Sequence, residues 1–565
     1  MAKWQEKLSV NETLIWSYYQ SALDYQIRMG LRDKIPTCVD FFEGKQWPSP
    51  TENTKNLPRP VVNIIKMVCR NKKGAILSTP VKIAYKSFTP YADMERFNAF
   101  ATSIFKEMEQ SELDRRGIDD AVKKGSYFFH YYWDSEAISS ESGEEGCLRC
   151  ELIDPLNIFF SNPSELDEQK QDWIIIASRK QISKIKALAD PNKSLTTLTP
   201  DEDDVAYDNI EQDGGNMATL LTRYFRRDGE IWCERATRRC VINDPFKIIP
   251  DNDFSDPCVD NQPILDTHLY KDSTKHSGNM LYPIVCGFYE KKEGSIYGIG
   301  EVEGLIPNQK AINFNIAMSL LNAQQCAWGK YIALPSALNG QKISNVPGQV
   351  LIDYSGTGEG IKRLSQEELS RVPMELTVTL TELTRSTSGI SDVMTGESYG
   401  TSLSGAAIAY LQAQAQMPIE DLRNSFWYVK RKQGRVVAQF LKHFYFKRAF
   451  IKKGFDKSGK ETEYFEEFSS LPYQNASLDV YVEAVGGAKA SVASDISLLD
   501  SCLKNGSISL ETYIRAYPES ALTNKEEILK QIERENESEL SKLKIELEKY
   551  KVSSKSTKKG VDKAV

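Results

Sequence analysis

Histidine is scarce in this chain. The four residues among 565, His130, His268, His276 and His443, stand far apart and have neither a catalytic-triad nor a metal-binding spacing. The run Gly396 to Ser402 lacks the lysine of a nucleotide-binding P-loop. Gly298-Ile299-Gly300 with Gly304 has the wrong spacing for a dinucleotide fingerprint and sets Glu301 and Glu303 where phosphate would sit. Those glycines suit a tight entry into a helix instead. No stretch approaches the ~18 uninterrupted apolar residues of a membrane span. No apolar leader follows Met1, and the ten cysteines are dispersed, so the sequence predicts reduced thiols in a cytoplasmic setting. Neither a cofactor nor an enzymatic activity is expected.

At 565 residues the chain exceeds what one core supports, which predicts several subdomains. Its 41% hydrophobic and 10% aromatic content excludes general disorder. A net charge of −7 excludes clamping of nucleic acid by overall basicity and leaves only local patches. The patterning predicts an α+β fold, mainly helical. Helices are expected over residues 1 to 30 (apolar at Leu14, Ile15, Tyr18, Leu23, Tyr25 and Ile27), Val61 to Ser78 and Asp93 to Lys124. Phe41 to Trp47 reads as an aromatic turn. Strands are expected at Val81–Phe88, Tyr127–Trp133, Cys150–Phe160, Trp173–Ala177 and Leu220–Phe225, with a polar, acidic loop between Asp190 and Asn216.

The middle of the chain differs. A helix from Gly304 to Trp328 carries one charge, Lys310; its polar positions are Asn308, Gln309, Asn313, Asn315, Ser319, Asn322, Gln324 and Gln325. Solvated helices carry many Lys and Glu, and core helices few amides. An uncharged but hydrogen-bonding surface suits a crowded helix–helix setting such as a ring of identical subunits. A small β module follows, with strand-like runs at Tyr331–Leu334 and Gln349–Tyr354 among Pro335, Pro347 and several glycines. A returning helix opens on the capping box Ser365-Gln366-Glu367-Glu368 and places Leu369, Val372, Leu376, Leu380 and Leu383 on one face. After a Gly/Ser/Thr loop, a long helix runs from Gly405 to about Phe446, kinked at Pro418 and spanning roughly 60 Å at about 1.5 Å per residue. Strands near Tyr464–Phe468 and Leu478–Ala484 precede a helical C-terminal part and a basic, Ser-rich tail from Lys551.

In this order the segments resemble the portal proteins of tailed bacteriophages. The likeness rests on Phe42-Glu43-Gly44-Lys45-Gln46-Trp47, Arg59-Pro60-Val61-Val62-Asn63, Ile153-Asp154-Pro155-Leu156-Asn157, Tyr282-Pro283-Ile284-Val285, Tyr297-Gly298-Ile299-Gly300-Glu301, Ile306-Pro307-Asn308-Gln309, Ser388-Gly389-Ile390-Ser391 and Ser404-Gly405-Ala406-Ala407-Ile408. It covers about residues 10 to 490. The resemblance implies a wing over 1–300 and 404–490, stem helices at 301–330 and 365–387, and a clip at 331–364. It further implies a tunnel loop at 388–403, a helical crown at 491–550 and a disordered tail at 551–565. It implies a homo-oligomeric ring of twelve subunits at one capsid vertex of the virion, assembled in the host cytoplasm. Double-stranded DNA would pass through that ring, with the terminase large subunit, a head–tail adaptor and the major capsid and scaffold proteins as partners and no membrane. A capsid-associated scaffold or assembly protein that oligomerises without passing DNA is the alternative.

On that resemblance the DNA-facing tunnel loop holds Val393, Met394, Thr395, Gly396, Glu397, Ser398 and Tyr399. The absence of Lys and Arg between Thr387 and Pro418 fits sliding, because each phosphate pairing would add to DNA affinity. Asn308, Ile312, Ile316, Leu320, Leu369, Leu376 and Leu380 are the expected stem and oligomer-interface positions. A candidate basic patch comprises Arg423, Lys430, Arg431, Lys432 and Arg435, in a stretch with no acid between Asp421 and Asp456. It would face DNA, or pair with acids on an adjacent subunit or in the 190–216 insert; the second reading is preferred because the chain is acidic overall. Cys147-Leu148-Arg149-Cys150 has the spacing of half a zinc site, with Cys233 and Cys240 as the other pair; free thiols in paired strands are expected instead.

Overall fold

The computed structural model describes residues 12–87, 93–139, 142–191, 193, 195–201, 216–249, 280–327, 331–342, 350, 352–356, 359–363, 372–389, 405–455, 461–474, 476–484, 499–506 and 508–516. Helix and strand are mixed, 46% to 27%, and the described strands fall into six sheets. The chain divides into two compact units. The first holds Met1–Leu77, Ile83–Phe450 and Glu467–Val482; the second holds Ser78–Lys82, Ile451–Glu466 and Glu483–Val565.

The first unit opens with α1 (Leu14–Arg28) and α2 (Leu31–Glu43). On α1 the buried stripe is Ile15, Trp16, Tyr19, Ala22 and Gln26; of the expected apolar positions Ile15 is buried, Tyr18, Leu23 and Tyr25 pack against the cores, and Leu14 and Ile27 are exposed. The expected aromatic turn at Phe41–Trp47 begins inside a helix: Phe41 and Phe42 close α2, and Gly44 ends it at a φ of +99, which glycine adopts without strain. Then come α3 (Ile64–Ile76), β1 (Val81–Ser87), α4 (Met94–Glu107) and α5 (Gln110–Lys124). The single helix expected over Asp93–Lys124 is two, broken where Glu109 takes a left-handed φ of 52.

Next are β2 (Ser126–Ile138), β3 (Glu145–Ile153), β4 (Ile158–Phe160), β5 (Trp173–Gln181), α6 (Ile182–Ala187), β6 (Met217–Arg227), β7 (Glu230–Ala236) and β8 (Val241–Lys247). The strand expected over Cys150–Phe160 is interrupted by a 3-10 turn at Pro155–Asn157, where the Asp154 carboxylate accepts from the Leu156 amide at 2.9 Å. Strands β4 to β8 form one antiparallel sheet in sequence order. One face buries Ile158, Phe160, Ile174, Ile176 and Tyr224; the other buries Phe159, Ile175, Ala177 and Leu221 against α1. Burial on both faces is why β5 reads as an unbroken apolar run rather than an alternation. The edge strand β8 carries Pro245 at a register irregularity between Asn243 and Phe246, where its missing donor breaks no regular ladder.

Strand β9 (Ile284–Phe288) pairs with β2, and β10 (Glu290–Lys292) with β11 (Ser295–Ile299). The 27-residue helix α7 (Glu301–Ala327) follows, then β12 (Tyr331–Ala333), α8 (Pro335–Leu338), β13 (Ile361–Arg363), α9 (Val372–Thr387) and the 40-residue helix α10 (Gly405–Phe444), continuous through Pro418. Strand β12 pairs with β13, and residues 349 and 351 of the expected strand-like run Gln349–Tyr354 lie outside the described residues. Of that run, Ile352 is held by the Gln341 amide on both its N–H (3.2 Å) and its C=O (3.3 Å). Strands β14 (Arg448–Phe455) and β15 (Glu461–Phe468) form a hairpin, and β16 (Leu478–Ala484) pairs with β1.

Within the second unit, Lys452 and Glu466 lie 3.4 Å apart. Helices at 499–504 and Leu510–Ala516 are tied by the Tyr513 hydroxyl, which donates to Asp500 at 2.6 Å. The capping box at Ser365, Leu369, the tunnel-loop residues Val393 to Tyr399, most of the 190–216 insert and the tail from Lys551 lie outside the described residues.

Candidate functional site

Helix α7 leaves the body through Gly298 and Gly300. A Cβ on Gly298 would stand 2.4 Å from the Gly125 carbonyl oxygen, and one on Gly300 would stand 2.9 Å from the carbonyl oxygens of Val122 and Lys123. The two backbones therefore touch, which only glycine permits. The first turn of α7 carries two acids, the sign its dipole favours. Glu301 pairs with Lys72 at 2.8 Å and accepts from the Tyr289 hydroxyl at 2.7 Å; Glu303 pairs with Lys34 at 3.0 Å.

Val302, Leu305, Gln309, Ile312 and Asn313 form the buried stripe of α7. The two amides bind this same chain. The Gln309 carbonyl accepts from the Ile64 and Ile65 amides at 3.1 and 3.4 Å, and its NH₂ donates to the Val62 carbonyl at 2.7 Å and to Asn313 at 3.0 Å. Asn313 accepts from the Val62 amide and donates to Gln46 at 2.6 Å. Asn63 caps the Lys66 amide, so Asn63 and Gln309 together satisfy the first donors of α3. The crowded partner inferred for these two amides is thus the body of the protein rather than a neighbouring copy.

Helix α9 packs along α7, and Asn308 donates to the Thr384 hydroxyl at 3.2 Å. Of the other expected interface positions, Ile312 is buried, Ile316 and Leu380 are half-buried, and Leu320 and Leu376 are exposed. Around them Phe314, Met318, Val372, Met374, Val378 and Leu383 are also exposed, with Phe314 at 52% and Val378 at 56%. The threonines of α9 spend their hydroxyls on the helix itself: Thr377, Thr379, Thr381, Thr384 and Thr387 each donate to the carbonyl four residues back at 2.6–2.9 Å. Outward, α9 presents Val372, Met374, Leu376, Val378 and Leu383 together with the acids Glu375 and Glu382.

The basic run on α10 has its partners in its own chain. Arg423 is buried and donates to the Ala75 carbonyl at 3.1 Å; Lys430 is buried against Asp114; Lys432 pairs with the buried Glu168 at 2.7 Å; Arg431 reaches Asp479 at 3.3 Å. Neither the 190–216 insert nor a second copy supplies these acids. Of the five expected patch residues, Arg431 and Arg435 are the exposed ones.

Lys442, further along α10, donates to the Ala476 carbonyl at 2.5 Å, and burial pulls its ammonium down to about 8. Since the folded state disfavours the charged form, stability is highest above the ordinary value near 10.5. It falls as the pH drops from there through about 8. Lys442→Met is therefore expected to raise stability by about 1–3 kcal/mol at pH 7. Denaturant melts should show that gain shrinking to nothing near pH 10.5; a gain that does not vary with pH would contradict this.

Cys147 and Cys150 lie three residues apart on β3, which sends their side chains to opposite faces. Burial pushes the Cys233 thiol up to about 12 and that of Cys150 higher still. Among the described residues no three His, Cys, Asp or Glu side chains are grouped to hold a metal ion, and no helix is long and apolar enough to cross a membrane.

A family model described as "Phage P22-like portal protein" matches residues 266–470, just over a third of the chain. This match supports a phage portal protein. It takes in α7, the β12–β13 module, α9 and all of α10. Portal proteins are a structural family. No curated protein matches the chain.

Proposed function

We propose that this chain is the subunit of a phage portal ring, set at one capsid vertex of the virion, through which double-stranded DNA is packaged and ejected. The observation that carries the reading is the outward face of the α7–α9 pair inside the matched segment. A lone chain gains nothing by exposing Phe314, Met318, Leu320, Leu376 and Val378 together. Two such helices per subunit, repeated around a closed ring, would bury those side chains against a second copy on each flank. In this reading α7 and α9 are the stem, the β12–β13 module is the clip, and residues 388–403 are the tunnel loop. The clip would dock the terminase large subunit during packaging and a head–tail adaptor afterwards, while the wing would meet the major capsid and scaffold proteins. The DNA motor is a separate partner.

The test is native mass measurement of the purified protein with projection images of the same sample. Open-centred rings near twelve subunits are expected. Rods or sheets would favour a scaffold protein, and a monomer at every concentration would overturn the ring.

A further inference from the structure

The run Lys430-Arg431-Lys432-Gln433-Gly434 reads as a basic patch, yet each of its residues is committed to the interior or to a neighbouring element. Consecutive helical residues point about 100° apart, so partners of 430, 431 and 432 must approach α10 from three directions. They do: Asp114 comes from α5, Asp479 from β16, and Glu168 from the 3-10 turn before β5. Gln433 adds a bond to Asp114 at 2.9 Å, and Arg431 another to the Val480 carbonyl at 2.8 Å. At Gly434 a Cβ would lie 2.5 Å from Val480 and 2.7 Å from Ile83, so β1 and β16 press directly on the helix backbone. The Tyr85 hydroxyl donates to the Gly434 carbonyl at 3.1 Å.

We propose that Lys430, Arg431 and Lys432 are positioning residues that latch α10 in one rotation and one register against the body. A buried ion pair adds little net stability over an apolar pair of the same size, but it tolerates no other alignment. Rolling α10 by one residue would leave Asp114 or Glu168 buried opposite the wrong side chain. An apolar seam alone would allow neighbouring registers at small cost.

Two native thiols report on the latch. Cys150, half-buried, sits beside the Asp114–Lys430 pair, and the buried Cys286 sits beside Glu168–Lys432; desolvation pushes both thiols well above the ordinary range. Wild-type protein should therefore react very slowly at either position. Lys432→Met is expected to raise the labelling rate of Cys286 by a neutral maleimide at least tenfold, read by peptide mass mapping, with Cys38 on α2 unchanged. Lys430→Met should do the same at Cys150. The reversed pair Lys432→Glu with Glu168→Lys should restore protection of Cys286. Unchanged labelling of Cys286 and Cys150 in the single variants would overturn the latch, because packing alone would then hold α10. Parallel rises at Cys38 would overturn it too, since the variants would be unfolding globally. The portal reading is needed only for the consequence that a slipping α10 lowers genome packaging in rings that still form. Failure of that reading would show as absent rings, and the thiol result would stand apart from it.

Discussion

Glutamate at both Leu376 and Leu380 is expected to abolish ring assembly while leaving the subunit folded. In the single chain Leu376 is 46% exposed and Leu380 is half-buried, so carboxylates there keep much of their water. Seated against a second copy they would lose it, at several kcal/mol for each unpaired charge. That cost recurs at every boundary of a closed ring and exceeds what a single helix–helix seam returns. Sedimentation should give one small species where the wild type gives a large one. Far-ultraviolet circular dichroism should be unchanged, and the melting temperature should move by no more than a few degrees. Intact rings from this variant would remove α9 from the wall; a collapsed fold would mean that its outward face is an internal contact.

Much of the architecture was legible because it follows local rules. The alternating and doubly buried strands, the amide-rich α7 and the length of α10 all show in residue spacing, and their order carried the family resemblance. Helix α2 did not show: Pro36 inside it and the Phe41-Phe42 pair at its end imitate a turn, and its existence depends on packing Leu31 and Ile35 into the main core. The break at Glu109 also escaped, since no glycine or proline marks it.

The candidate site was legible in type but not in partners. Gln309 and Asn313 were visible as hydrogen-bonding groups on an uncharged helix. That their partners are Val62, Ile64, Ile65 and Gln46 could not be read from spacing, because these lie about 250 residues upstream. The basic run on α10 misled for the same reason. Its acids are 316, 264 and 48 residues away, so along the chain the charges look unpaired. Net composition argued for partners; only the tertiary fold decides which.

A clear loss of stability should come from Gln309→Met, which keeps the volume and removes every side-chain hydrogen bond. Both the Ile64 and Ile65 amides are buried first-turn donors of α3 that Gln309 accepts, and Ile64 also donates to the Val62 carbonyl at 2.9 Å, so Ile65 depends most on Gln309. The Val62 carbonyl loses one of two donors and keeps the Ile64 amide at 2.9 Å. Each buried group left unpaired costs about 1–3 kcal/mol. With the Ile65 amide as the chief unpaired group, the cost should be about 2 kcal/mol, measurable as a lower urea midpoint at an unchanged slope. Hydrogen exchange locates the effect: the Ile65 amide should lose protection first, followed by the amides of α7 nearest Glu301, while those of β5 and β6 keep theirs. Uniform loss across all elements would mean that the amide pair supports the whole core. No loss at Ile65 would mean that Asn63 caps α3 unaided. The clamp matters to the ring because α7 is expected to be both wall and root. If its buried stripe loosens from the 62–65 segment, the exposed stripe around Phe314 and Leu320 turns with it, and rings should become heterogeneous in subunit number before the subunit itself unfolds.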